Sequence, residues 1–213
     1  MLKGSAKRRV FFNIRKIREY KLQMRTVVDC VEAFSTLLST EYEIILGRKG
    51  KAVKLIITFD KKDCFHLMGL QYLADRPELK RDRGKIFDEI RNGNIKQEQI
   101  ESSDFYDKIV DRVHFLPLLE NIIDSNDTIF KYNKKANTYS MIEADYLMEN
   151  CIENRNTFLF LSNKNADNYF CRSFFPENKM DYTKKQALWT LLYKKKKDLI
   201  DGTEIILYDK LKH

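Results

Sequence analysis

At 213 residues, with 43% hydrophobic and 12% aromatic residues, the chain can bury one ordinary core, and seven Gly and three Pro exclude collagen-like or low-complexity sequence. Charge breaks every apolar run within about ten residues, too short for a membrane span, and Arg15, Lys16 and Arg18 interrupt any signal-peptide core. The net charge of +8 is localised: residues 1–25 carry nine Lys or Arg against Glu19 alone, while the remaining bases and acids balance at thirty each. This excludes a uniformly basic nucleic-acid binder and predicts a neutral body behind a basic N-terminal arm. The arm suits polyanion contact, and equally suits solvation. A smaller cluster, Lys194–Lys197, invites the same two readings.

Cys30, Cys64, Cys151 and Cys171 show no CxxC spacing. Reduced, mostly buried thiols in a cytoplasmic protein are expected, not disulfides or a zinc site.

In residues 9–22 (RVFFNIRKIREYKL), Val10, Ile14, Ile17 and Lys21 form one stripe, which predicts a basic amphipathic helix. Thr26 with Asp29 resembles a capping pair, and Val27, Val31, Phe34 and Leu38 recur at helical spacing behind it. The period then changes. EYEIILG (41–47) and KAVKLIITFD (51–60), joined by RKGK, predict a hairpin. DCFHLMGLQYL (63–73) predicts a helix capped by Asp63, with further helices around 84–92 and over 102–123, the last kinked at Pro117. From residue 127 onward, TIFKYN, YSMIEADYLM, TFLFLS, NYFCRSFF, WTLLYK and TEIILYD read as strands between Asn-, Asp- and Lys-rich turns. The expected architecture is α+β: residues 1–25 as an arm, then one domain over 26–213 with N-terminal helices on a mostly antiparallel sheet.

GxGxxG, GxxxxGK[ST], HExxH and GxSxG are all absent. Strand carboxylates are few, so no metal and no cofactor is expected. His66 draws attention because an otherwise apolar helix carries this histidine and, one turn on, Gly69. Either the imidazole is a core residue bonded to a carbonyl with Gly69 permitting close packing, or the space beside Gly69 admits a ligand. In NYFCRSFF, strict alternation puts Arg172 on one face with Phe170 and Phe174, and Ser173 on the other with Cys171 and Phe175. Arg172 between aromatics suits phosphate binding beside a stacked base, or a structural role at a sheet edge. Lys131, Thr190, Tyr193 and Ser140 are further polar residues within strands, where most such residues face solvent.

FHLMGLQYL, KIFDEIRNGNI, YSMIEADYL, FLFLS, CRSFFPEN and DYTKKQALWTLLYKKK, in this order between about Glu41 and Asp209, resemble a family of phage- and mobile-element-associated domains. That family is grouped with the barnase/EndoU/colicin/RelE-like nucleases, in its fourth phage-type branch. The resemblance implies helices ahead of an antiparallel sheet and a metal-independent ribonuclease-like site on one sheet face. The family pattern matches this chain at His66 and Ser173; Arg172, Lys131 and Thr190 complete the candidate set. The implied function is that of a ribonuclease-like toxin or defence effector. The expected partners are RNA or another nucleic acid, through the basic arm that lies outside the resemblance, and a cognate antitoxin or inhibitor protein; no membrane is expected. The alternative is a non-catalytic nucleic-acid- or protein-binding module on the same fold.

Overall fold

Local capping starts the first helix where the sequence predicts it. The Thr26 amide donates to Asp29 Oδ2 at 2.6 Å, and the Asp29 amide donates to Thr26 Oγ1 at 3.2 Å. This reciprocal pair opens α1 (Val27–Leu37), whose Val27, Val31 and Phe34 are buried. The computed structural model describes residues 25–136, 140–178 and 180–211. Apart from Arg25, the basic-arm reading of residues 1–25 lies outside the described residues.

After α1 come β1 (Thr40–Arg48) and β2 (Lys51–Ile57), the expected hairpin. Four helices follow: α2 (Lys61–Met68), α3 (Arg83–Arg91), α4 (Gln97–Glu101) and α5 (Val110–Phe115). A 3-10 turn, Leu116–Leu118, separates α5 from α6 (Leu119–Ser125). The single helix expected over 102–123 is thus several pieces. Pro117 supplies no amide for a continuous ladder, and the chain takes a tighter turn around it. The strands are β3 (Thr128–Lys131), β4 (Tyr146–Ile152), β5 (Arg155–Asn165), β6 (Asn168–Pro176), β7 (Ala187–Asp198) and β8 (Glu204–Asp209). The strand expected over 139–148 starts only at Tyr146.

All eight strands form one sheet in the order β1-β2-β6-β5-β4-β3-β7-β8, and β1 also pairs with β7, so seven strands close into a barrel. β3 and β8 take successive stretches of the same strand, pairing with Ala187–Thr190 and with Tyr193–Lys197 of β7. The pairings are antiparallel except β2–β6, which is parallel through Ile56↔Asn168 and Ile57↔Tyr169. Period-two alternation divides the apolar residues between two cores. Leu159 and Leu161 of β5 join the main core with α1, α2 and Phe174. Phe158 and Phe160, which alternate with them in sequence, join Tyr132, Leu147 and Phe175 in a smaller core on the other face. Both α2 and α5 lie against β6. All four cysteines are free thiols, three of them buried.

The Lys194–Lys197 cluster is committed to the fold, contrary to its reading as a polyanion contact. Lys194 is 1% exposed. Its Nζ donates to the carbonyls of Ile123 (2.7 Å), Asp124 (3.3 Å) and Asn126, which α6 and its exit leave unpaired. Lys196 bridges Glu120 and Asp124, while Lys195 and Lys197 share Glu204. Replacing Lys194 with Met should therefore lower stability by about 1.5–3 kcal/mol, the range for hydrogen bonds from a charged donor. Lys197→Met should change it by less than about 0.5 kcal/mol, as at an exposed pair. Urea denaturation compares the two, and equal midpoints would mean that Lys194 does not cap α6.

Candidate active site on the α2–β6 face

The site begins with the start of α2. Asp60 is its N-cap, three residues before Asp63, where the sequence suggests the cap, and Asp60 Oδ1 accepts the Lys62 amide at 3.0 Å. Asp63 holds the third helical position, where its Oδ2 accepts the Asp60 amide at 3.0 Å. His66 lies three residues on, so the two side chains share one helix face. Both line a cavity of about 220 Å³ together with Thr58, Asp60, Lys62, Arg83, Lys164, Phe170 and Arg172.

Two irregularities of the sheet supply its cations. Between β5 and β6 the register changes at Arg172, because Phe160 pairs with Ser173 and Leu161 with Cys171. Arg172 is the extra residue of a β-bulge. The register changes back at Lys164, since Asn163 pairs with Tyr169 and Asn165 with Asn168. Bulges re-aim side chains, and here both unpaired positions line the His66 cavity. The Arg172 bulge also corrects the expected faces: Cys171 and Phe174 both belong to the main core, so strict alternation fails between them. Among the described residues neither Lys164 nor Arg172 forms an ion pair with a carboxylate.

Arg83, the first residue of α3, completes the set. Its guanidinium donates to His66 Nε2 and lies 5.5 Å from the Phe65 ring centre. A ring nitrogen that accepts here leaves the neutral imidazole's proton on Nδ1. Burial lowers the His66 pKa from its ordinary 6.5, and the charges of Arg83 and Arg172 lower it further. Burial raises Asp63 to about 6, with the nearby Asp60 carboxylate adding to the shift. Glu143, in an adjoining cavity of about 450 Å³ that also contains Phe170 and Arg172, goes the other way. Its hydrogen bond from Lys134 (3.0 Å) and the Lys134 charge hold it below the usual carboxylate range. Two carboxyl groups flanking one arginine are thus driven apart, Asp63 toward a proton and Glu143 away from one.

The candidate residues separate in three dimensions. His66 and Arg172 meet in one cavity. Ser173 lines a different recess. Lys131 is bound to Asp145 at 3.2 Å with its ammonium 4.3 Å from the Tyr146 ring centre. Thr190 is exposed on β7, paired with Thr128 and Gly47. Lys131 and Thr190 therefore do not line the His66 cavity. Gly69 does not open space for a ligand either. It ends α2 at φ +84°, and a Cβ there would lie 2.9 Å from Arg112 Cδ and 3.0 Å from Ile109 Cγ2. Sequence reasoning missed Arg83 and Lys164, which sit in unremarkable charged stretches. The role of Asp63 had a signal, the acid-to-histidine spacing along α2.

A family model described as phage-Barnase-EndoU-ColicinE5/D-RelE like nuclease4 matches residues 26–211. No curated protein and no solved structure matches the chain. Among the described residues no group of three or more His, Cys, Asp or Glu is placed to hold a metal ion, and no helix is long and apolar enough to cross a membrane.

If Gly69 serves the backbone and close packing, Gly69→Ala should destabilise the fold by about 1–3 kcal/mol, from left-handed strain on a non-glycine residue and the crowded Cβ. Thermal or urea unfolding measures it. A neutral substitution would return Gly69 to the ligand-space reading.

Proposed function

Because the chain belongs to the phage-Barnase-EndoU-ColicinE5/D-RelE like nuclease family, we propose that it is a metal-independent endoribonuclease acting at the His66 cavity. The observation that carries the reading is one cavity combining a histidine, a carboxyl group raised to about 6 and four cations, of which Lys62 pairs with Asp60 while Arg83, Lys164 and Arg172 form no ion pair with a described carboxylate. RNA cleavage without a metal requires the ribose 2′-oxygen to attack phosphorus while the bond to the 5′-oxygen breaks. A base removes the 2′-OH proton, an acid protonates the leaving oxygen, and positive groups hold the charge on the non-bridging oxygens.

His66 fits the base, since burial and neighbouring arginines favour its neutral form. Asp63 fits the acid: one oxygen accepts the Asp60 amide, and the other can carry the proton. Arg83, Lys164 and Arg172 take the phosphate. Arg83 occupies His66 Nε2 in the structure, so transfer of its guanidinium to an arriving phosphate frees that nitrogen. Phe170 offers a ring for a base beside the phosphate. The same Arg83–His66 contact supports a second reading, a non-catalytic RNA-binding module in which Arg83 keeps the base blocked. The phage context in the family's description and the free buried thiols fit a cytoplasmic toxin or defence effector of a mobile element; a cognate inhibitor protein is the partner such an effector calls for.

Incubation with RNA in EDTA should give cleavage with 2′,3′-cyclic phosphate ends. His66→Ala should slow it by about 10²–10⁴, the usual contribution of a general base. Binding without cleavage would favour the module reading.

The active state has His66 neutral and Asp63 protonated, so the rate should follow a bell. It falls above about pH 6 as Asp63 ionises, and falls again at lower pH as His66 takes up a proton. Asp63→Asn removes the proton donor and should abolish the alkaline limb along with most of the rate. A pH–rate profile still rising through pH 8 would exclude Asp63 as the acid.

A further inference from the structure

A second recess, of about 440 Å³, opens between Tyr72, α5, residues 140–142 and the C-terminal half of β6, and neither His66 nor Arg172 lines it. Its central group is Arg112 of α5. The guanidinium lies 5.4 Å from the ring centre of Tyr72 and 4.9 Å from that of Phe175. Its Nη1 donates to the Phe174 carbonyl at 2.7 Å. Among the described residues no carboxylate pairs with it. Asp111, its neighbour on α5, is held by Arg155 at 3.0 and 3.1 Å, and Asp107 lies exposed at the rim. A guanidinium has five N–H groups, and the carbonyl accepts from one nitrogen. Burial lowers the pKa of Arg112, the cost expected of a cation withdrawn from water without a counter-ion.

A second polar group meets it there. Ser173 lines the same recess, and its hydroxyl makes no hydrogen bond with another described residue. The remaining walls are mixed: Met141, Ile142 and the rings of Phe175 and Tyr182 stand beside the polar Lys108, Ser140 and Asn178. The volume falls within the range of small-molecule sites and exceeds what a bare phosphate fills. A forked cation and a hydroxyl set against aromatic walls suit an anion joined to a flat ring.

We propose that this recess binds a nucleotide, its phosphate on Arg112 and Ser173 and its base against the aromatic wall. Arg172 and Ser173 are consecutive in β6, and the bulge between β5 and β6 sends them to different cavities. The nucleotide can therefore come from solution or be the neighbour of one held at His66. Binding of the free nucleotide does not depend on the cleavage reading.

Titration of the whole protein with adenosine 5′-monophosphate, followed by amide NMR shifts, should perturb Arg112, residues 140–142 and Ser173. Arg112→Lys keeps the charge but loses the fork, and should weaken binding about tenfold or more, as loss of a bidentate contact does. Ser173→Ala should weaken it by a smaller factor, and His66→Ala should leave it unchanged, so absent RNA cleavage does not bear on this result. A 2′-deoxy dinucleotide separates the sources. Tighter binding than the mononucleotide, weakened by both Arg172→Ala and Arg112→Lys, marks a strand spanning the two cavities. Equal binding, weakened by Arg112→Lys alone, marks a site for free nucleotide. The proposal fails if millimolar nucleotide leaves the recess unperturbed, or if binding is indifferent to both Arg112→Lys and Ser173→Ala.

Discussion

The site depends on the short parallel contact between β2 and β6. The Ile56 amide donates to the Asp167 carbonyl at 2.8 Å, and that of Thr58 to Tyr169 at 3.5 Å. With two paired positions, Ile56↔Asn168 and Ile57↔Tyr169, these bonds join the early hairpin to the β5–β6 hairpin and close the barrel. α2 starts only a few residues beyond β2, so closure brings its first turns alongside the β5–β6 hairpin. Residues about a hundred positions apart, His66 with Lys164 and Arg172, then share one cavity. Such non-local pairing forms against a large loop-closure entropy. The cavity is therefore a product of the closed barrel rather than of any one segment.

Charge in this protein is meaningful only after its partners are known. Lys194–Lys197 forms a conspicuous run, yet carbonyls and carboxylates of the fold occupy all four ammonium groups. Arg83, Lys164 and Arg172 are scattered in sequence, but they converge on one cavity, where none of the three forms an ion pair with a described carboxylate. Burial lowers the His66 pKa, with the charges of Arg83 and Arg172 adding to the shift, while burial raises Asp63 to about 6. Opposite shifts of a histidine and a carboxyl group in one cavity bring their titrations together, the condition under which one can serve as base and the other as acid.

The bulge at Arg172 divides the surface of β6 between two recesses. One extra residue places Cys171 and Phe174 in the same core while Arg172 and Ser173 line separate recesses. Arg112 gives the second recess its charge, and its side chain packs beside Gly69, whose left-handed turn ends α2. The glycine thus separates the helix that carries His66 from Tyr72, which covers Arg112.

Much of the fold was legible in the sequence because its signals are local. The capping pair Thr26–Asp29, the hairpin of β1 and β2, and the later strands follow from helical period, alternation and turn residues, which are read within a few positions. The family resemblance rests on segments from about Glu41 to Asp209, within the matched span of 26–211. His66 stood out because an apolar helix has little use for an imidazole. What the sequence left open depended on partners elsewhere in the chain. Alternation could not reveal the bulges, since one inserted residue matters only against a particular opposing strand. Gly69 looked like space because its left-handed φ and its contact with Arg112 arise only once α5 packs there. Arg83 and Lys164 could not be distinguished from the other thirty-seven Lys and Arg residues. Tertiary structure decided which cations are neutralised and which stay free, because electrostatic work falls off with distance in space and not along the chain.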